Sequence, residues 1–201
     1  MALVVWFLLA CSGDPGCFEG LLRADDGHCY PPATAPAVED ALLALPCVPV
    51  DLEPAIVIRP EGACVHGLCV TDTYAAMTSA VGMPDACGPA STPGYLECDW
   101  EAFAVSVAFE DTDGDGALAP NDRAIQVHLA GTGMAATPEG LGPGATPGCA
   151  TRLLGAPDRA DVRTVDGALA PIRMIWNTWG AVIDDDAPRD GLIDEMYFLA
   201  P

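Results

Sequence analysis

The chain has 201 residues, room for one domain or two small ones. Its 8 Lys+Arg against 29 Asp+Glu give a formal net charge of −21, a surface that repels nucleic-acid phosphates and argues against a nucleic-acid partner. Nine cysteines in this length point to an oxidising compartment.

Residues 1–10 form an apolar run too short to span a bilayer as a helix, and the run fits the h-region of a signal peptide. It ends in Leu8-Leu9-Ala10-Cys11. This tetrapeptide resembles the processing site of bacterial lipoproteins, which implies that Cys11 is lipidated and becomes the new N-terminus. Ser12 is similar to the residue that follows the cysteine in outer-membrane lipoproteins. The resemblance implies a membrane contact through the lipid anchor and a place in the bacterial cell envelope, on the periplasmic or extracellular side of the outer membrane. The departure is upstream, where no Lys or Arg precedes the apolar run. The alternative is an ordinary signal peptide with Cys11 as another thiol.

Without Cys11, eight cysteines remain, an even number that allows four bridges. Cys17, Cys29, Cys47, Cys64, Cys69, Cys87 and Cys98 precede residue 100, and Cys149 follows it. Full pairing therefore requires Cys149 to bridge back to the first half. Cys98–Cys149 and Cys17–Cys29 are the expected pairs. Cys64-Val65-His66-Gly67-Leu68-Cys69 has residue types that suit zinc, but no second ligand pair follows at finger-like spacing.

Residues 11–37 read as a lipidated cysteine and a loop-like tether with one small disulfide knot, and residues 38–201 as one disulfide-linked domain. Within it, 38–99 is the cysteine-rich part and 100–201 the β part. Val38–Leu45 predicts a short helix stopped by Pro46, and Ala55–Ile58 a strand. Thr71 or Asp72 can cap a helix over Thr73–Val81, with Tyr74, Met77 and Val81 on one apolar face and Gly82 and Pro84 at its end. Ala104–Phe109 reads as a strand. Ile125, Val127 and Leu129 alternate with Gln126 and His128, a strand period.

Between these strands lies Asp111-Thr112-Asp113-Gly114-Asp115-Gly116-Ala117-Leu118-Ala119-Pro120-Asn121-Asp122. It resembles the calcium loop of the EF-hand family in the shortened style of dockerin-type modules. The resemblance implies Ca2+ held by Asp111, Asp113 and Asp115, the Ala117 carbonyl and Asp122, with Gly116 at the sharp turn and Leu118 pointing into the core. The departures are Asp122 where a bidentate Glu is usual, and strands where the family has helices. An Asp111-x-Asp113 pair after a strand is also similar to the nucleophile motif of HAD phosphatases. That family wants Thr or Val at Asp115 and a later Lys, and this chain has no Lys.

Residues 131–148, crowded with Gly, Pro and Thr, read as a long surface loop. Thr146, Pro147 and Gly155 can start and stop a brief helix carrying Cys149. Pro171–Trp176 and Ala181–Ile183 flank Asn177-Thr178-Trp179-Gly180 as a hairpin. Trp176 and Trp179 are then either half-buried hairpin aromatics or a sugar-stacking platform. Asp184, Asp186, Asp190 and Asp194 form a second acidic loop, a weaker second calcium site. Aligning Asp190-Gly191 with Asp115-Gly116 puts Ile193 over Leu118.

No catalytic motif is present: there is no Gly-x-Ser-x-Gly, His-Glu-x-x-His or phosphate-cradling loop, and His28, His66 and His128 are scattered. The expectation is a mainly β, α+β, disulfide-stapled envelope lipoprotein that is not an enzyme. Short helices and acidic loops join its hairpins, and it acts as a binding or scaffold module for an unknown protein or glycan partner. A carbohydrate-binding module and an extracytoplasmic hydrolase of unrecognised type are the alternatives.

Overall fold

The computed structural model describes residues 22–23, 29–30, 35–59, 62–131, 135–165, 168–185 and 190–200. Strands β1 (Leu22–Arg23) and β2 (Cys29–Tyr30) pair with each other, and helix α1 (Ala35–Leu43) follows. The span read as a loop-like tether with one small disulfide knot contains this strand pair and the start of α1. Next come β3 (Glu53–Pro54), β4 (Ile56–Val57), β5 (Cys64–Val65), β6 (Leu68–Cys69) and α2 (Tyr74–Val81). Then follow β7 (Ala86–Pro89), β8 (Tyr95–Trp100), β9 (Val105–Glu110) and β10 (Ala124–Ala130). The last third holds β11 (Ala135–Ala136), α3 (Pro147–Leu154), β12 (Arg159–Val165), β13 (Ala168–Trp176), β14 (Ala181–Asp184) and β15 (Glu195–Leu199). The protein is mainly β with a few short helices, a small disulfide-stapled α+β domain.

One antiparallel sheet dominates, with strand order β12-β13-β14-β15-β10-β9-β8-β7. It consists of two consecutive meanders, β7 to β10 and β12 to β15, joined at a seam between β10 and β15. The two halves repeat each other. Thr73, Thr78, Gly82, Pro84 and Asp85 recur at the same spacing as Thr146, Thr151, Gly155, Pro157 and Asp158. Thr73 and Thr146 occupy the N-cap positions of α2 and α3, and Gly82 and Gly155 donate their N–H groups to Thr78 and Thr151 at the C-caps. Trp100 Nε1 donates to the Gly82 carbonyl at 3.1 Å, and Trp176 Nε1 to the Gly155 carbonyl at 3.0 Å. Asp85 accepts the Glu101 N–H at 2.8 Å, and Asp158 accepts the Asn177 N–H at 2.6 Å. A 3-10 turn then ends in a left-handed residue, Ala104 (φ 52°) in one half and Gly180 (φ 56°) in the other.

The seam obeys the same twofold relation. Val127 pairs with Phe198, His128 with Tyr197 and Leu129 with Met196, so His128 and Tyr197 are counterparts facing each other. Their rings stack at 4.2 Å and 2°. The Tyr197 hydroxyl donates to Glu195, and His128 Nε2 lies 3.6 Å from the same carboxylate. Burial pushes the His128 imidazole down. The Glu195, Glu97 and Asp184 charges oppose this, but the pKa stays below the ordinary value. Burial and Glu195 raise the Tyr197 phenol.

The folded His128 imidazole therefore takes up its proton at lower pH than the unfolded one. Its contribution to stability is present above about pH 6.5 and is lost as pH falls from there toward the folded value. His128→Phe keeps a stacked ring and removes the titration. The melting temperature of the wild type relative to this variant is expected to fall between about pH 7.5 and about pH 5. A gap that stays constant with pH would refute the assignment.

The core lies on one face of the sheet, under α2 and α3. Trp100, Val107, Phe109, Leu129, Met174, Trp176, Met196 and Phe198 are all buried there in one cluster with Met77 of α2 and Ala150 of α3. The Tyr74 ring meets Phe109 edge-on at 5.6 Å. The cap of α2 is Thr73, whose hydroxyl accepts the Ala76 N–H at 3.2 Å, rather than Thr71 or Asp72. A β-bulge at Ile125 interrupts the expected alternation. Ala124 pairs with Phe109 and Gln126 with Ala108, so Ala124, Val127 and Leu129 are the buried residues of β10, and Ile125 is only half-buried.

Among the described residues three bridges are formed: Cys47–Cys149, Cys64–Cys69 and Cys87–Cys98. Cys149 does bridge to the first half, but its partner is Cys47 and not Cys98. Cys98 stands directly opposite Cys87 in the β7–β8 pair, which makes that bridge local. Cys64 and Cys69 face each other across the β5–β6 turn, which removes them as zinc ligands. Cys11 and Cys17 lie outside the described residues, so the lipidation site and the Cys17–Cys29 pair do too.

The segment expected to be a surface loop is instead largely interior. Ala135, Ala136, Thr137, Leu141 and Ala145 are buried. Its glycines permit this. A Cβ on Gly142 would sit 2.5 Å from the Ala135 carbonyl oxygen, and one on Gly148 would sit 2.4 Å from that of Pro46. Thr146 fastens the neighbouring chain, accepting the Val48 N–H at 2.8 Å and donating to the Pro46 carbonyl at 2.7 Å. Among the described residues no helix is long and apolar enough to cross a membrane.

Candidate metal centre

The loop between β9 and β10 is shaped by its own carboxylates. Asp111 accepts the N–H groups of Gly114 at 2.9 Å and Gly116 at 3.1 Å. Asp113 accepts from Asp115 N–H at 3.3 Å, and Asp115 from Ala117 N–H at 2.8 Å. Gly114 (φ 72°) and Gly116 (φ 75°) both lie in the left-handed region, where a side chain would be strained. The turns bring oxygens of Asp111, Asp113 and Asp115 within 4.8 Å of one another. Two oxygens bound to one hard cation at roughly 2.3–2.6 Å each are at most about 4.6–5.2 Å apart, so the three aspartates can hold a metal ion. Asp111 is half-buried; Asp113 and Asp115 are exposed.

The carboxylates of this loop crowd one another. The Asp115 N–H draws the Asp113 carboxyl down. Slight desolvation, the Asp115 charge and carboxyl contacts with Asp111 and Asp115 outweigh it, and the pKa stands above the ordinary value. A bound cation would reverse that repulsion.

Asp122 is placed differently. It is fully buried, and both its oxygens are engaged: one accepts the Thr112 hydroxyl at 2.7 Å, the other the Ala119 N–H at 2.8 Å. Burial pushes its carboxyl up, but those hydrogen bonds more than offset this and hold its pKa below the ordinary range. Asp122 thus ties the loop's exit to its entrance and is not gathered with the three aspartates. Ala117 is exposed at the loop's edge, and Leu118 packs partly against the core as expected. The link from Asp122 to Thr112 carries no spacing signal, because it depends on how the loop closes.

The second acidic loop does not reproduce the first. The Arg173 guanidinium grips Asp184 with two bonds, of 2.7 and 2.5 Å. Asp185 is buried and accepts the Gly191 N–H at 3.1 Å, and Asp190 accepts the Leu192 N–H at 3.0 Å. Burial raises the Asp185 carboxyl, with the Asp194 and Asp190 charges adding to it. Asp186 lies outside the described residues. Among those described, Asp184, Asp190 and Asp194 form no metal-sized group. The alignment of Ile193 over Leu118 also fails. Ile193 exchanges backbone bonds with Gly144 and Ala145, as Ala124 does with Thr71 and Asp72, so Ile193 is the counterpart of Ala124. The second loop is shorter, running from Asp184 at the end of β14 to Glu195 at the start of β15, whereas the first runs from Glu110 to Ala124.

Trp176 is buried and leaves no ring face for a sugar. Trp179 is half-buried and, with Pro138, Leu153 and Leu154, lines a groove of about 220 Å³. No known protein-family model matches the chain, and no curated protein or solved structure matches it.

Proposed function

We propose that this is a lipid-anchored protein of the bacterial cell envelope, a binding or scaffold module whose Asp111–Asp122 loop is locked by Ca2+. The observation that carries the ion is the convergence of Asp111, Asp113 and Asp115 on one point at the tip of a glycine-turned loop. Calcium suits an all-oxygen set of this charge. The role of the ion is structural: it neutralises crowded carboxylates and couples its binding energy to folding. The anchor rests on Leu8-Leu9-Ala10-Cys11 and on the even number of remaining cysteines, six of which are seen paired among the described residues.

A thermal melt of the oxidised protein in calcium and in chelator tests the ion. For a site of about 10⁻⁴–10⁻³ M, calcium near 10 mM is expected to add roughly 1.4–2.7 kcal/mol of stability, a rise of a few degrees. Asp113→Ala/Asp115→Ala should abolish the rise while folding normally in chelator. No shift in the wild type at that concentration would sink the calcium reading.

A further inference from the structure

The face of the sheet opposite the core carries a second chemistry, and the twofold relation exposes it. In the second half one row of residues runs across four strands: Asp161, Arg173, Asp184 and Glu195 are successive cross-strand partners. The Arg173 guanidinium fills that row, clamped on Asp184 and raised in pKa by that bond. The matching row in the first half is Gly88, Glu97, Ala108 and Gln126. Glu97 stands where Arg173 stands, and Ala108 where Asp184 stands. The charge at the centre is reversed and the flanking side chains have shrunk. A recess of about 390 Å³ opens there, lined by Tyr95, Glu97, Gln126, His128 and Tyr197, with Ser91 and Thr92 at its lip. Among the described residues the half-buried Glu97 carboxylate has neither an ion-pair partner nor a hydrogen-bond donor.

We infer that this recess binds a guanidinium group, supplied from outside the chain where the other half supplies its own. A planar cation matches the site on three counts. Its N–H fork suits a carboxylate and an amide oxygen, here Glu97 and Gln126. Its flat face suits the Tyr95 phenol and the face of the His128 imidazole that Tyr197 does not cover. The chain's net charge of −21 draws cations in. The size suits one side chain or a small amine, and the inference does not depend on the calcium loop.

The test is titration of the full-length oxidised protein, at fixed calcium and physiological salt, with agmatine and with a short arginine-containing peptide. The same peptide carrying citrulline, the uncharged isostere, is the control. Heat of binding and tyrosine fluorescence report occupancy. Saturable binding of agmatine, the peptide or both, at least about tenfold stronger than the citrulline form, is expected. Agmatine binding identifies a small-molecule source, and peptide binding alone a protein source. Glu97→Gln should weaken binding about tenfold or more, while Asp99→Asn, an exposed carboxylate on the same strand, should leave it unchanged. Glu97→Arg/Ala108→Asp copies the Arg173–Asp184 pair and should abolish binding while the protein remains folded. Absence of saturable binding, equal binding of the citrulline peptide, or equal loss in Glu97→Gln and Asp99→Asn would overturn the inference.

Discussion

Cys47→Ala/Cys149→Ala is expected to lower the stability by about 4–5 kcal/mol and the melting temperature by roughly 10–15 °C. The bridge closes a loop of sequence separation 102, so its loss restores a large conformational freedom to the unfolded chain. In the folded state it pins the segment after α1 against the buried start of α3, next to the Gly148–Pro46 approach. The Cys64–Cys69 bridge, with a separation of 5, provides the comparison: its removal should cost only about 2 kcal/mol. Chemical denaturation of the two double variants decides the matter. A Cys64–Cys69 variant as damaged as the Cys47–Cys149 variant would show that local strain, and not loop closure, governs the effect.

The second large effect lies at the paired tryptophans. Trp176→Ala should cost about 3–5 kcal/mol, because a fully buried ring at the base of α3 leaves a cavity that the sheet cannot collapse around. Trp176→Phe separates the hydrogen bond from the packing. It keeps most of the ring and strips the Gly155 carbonyl of its donor, for about 1–2 kcal/mol. Trp100→Phe removes the equivalent bond to Gly82 and should cost a similar amount. Since the two bonds lie in different halves, the double Phe variant should show the sum to within about 0.5 kcal/mol. Urea unfolding with a constant m-value measures this. Strong non-additivity would mean that the halves do not carry these contacts independently.

What the sequence disclosed was local. Pro147 and Gly155 bracket α3 because a proline in the first turn and a glycine C-cap need only neighbours, and Val105–Phe109 shows the period of a half-buried strand. The aspartates of 111–115 were legible because ligand spacing in a turn is local too. What stayed hidden depends on tertiary approach. The glycines of 140–148 have the composition of an exposed loop, and their burial follows from how closely residues 46–50 lie against them. The bulge at Ile125 turns one residue of an otherwise regular alternation away from its expected face. Trp176 and Trp179 sit three residues apart in one turn, yet only the structure separates a core ring from a half-exposed one. The duplication was present as Thr73, Thr78, Gly82, Pro84 and Asp85 against Thr146, Thr151, Gly155, Pro157 and Asp158. Unequal loops dispersed it, and the acidic residues drew the alignment to the wrong register.

The seam between β10 and β15 has a kinetic consequence. Within each meander every strand pairs with its chain neighbour, so zipping requires only short loops to close. The seam instead joins Gln126 to Leu199, with an intact second meander between them. Its loop-closure entropy is large, and it has little to gain until both sides exist. The two meanders are therefore expected to organise first, each under its own helix, and to dock last along His128 and Tyr197. Until that docking, each half carries an unpaired strand edge of the same pattern. In this interval the anionic surface, by mutual repulsion, keeps like edges of different chains apart.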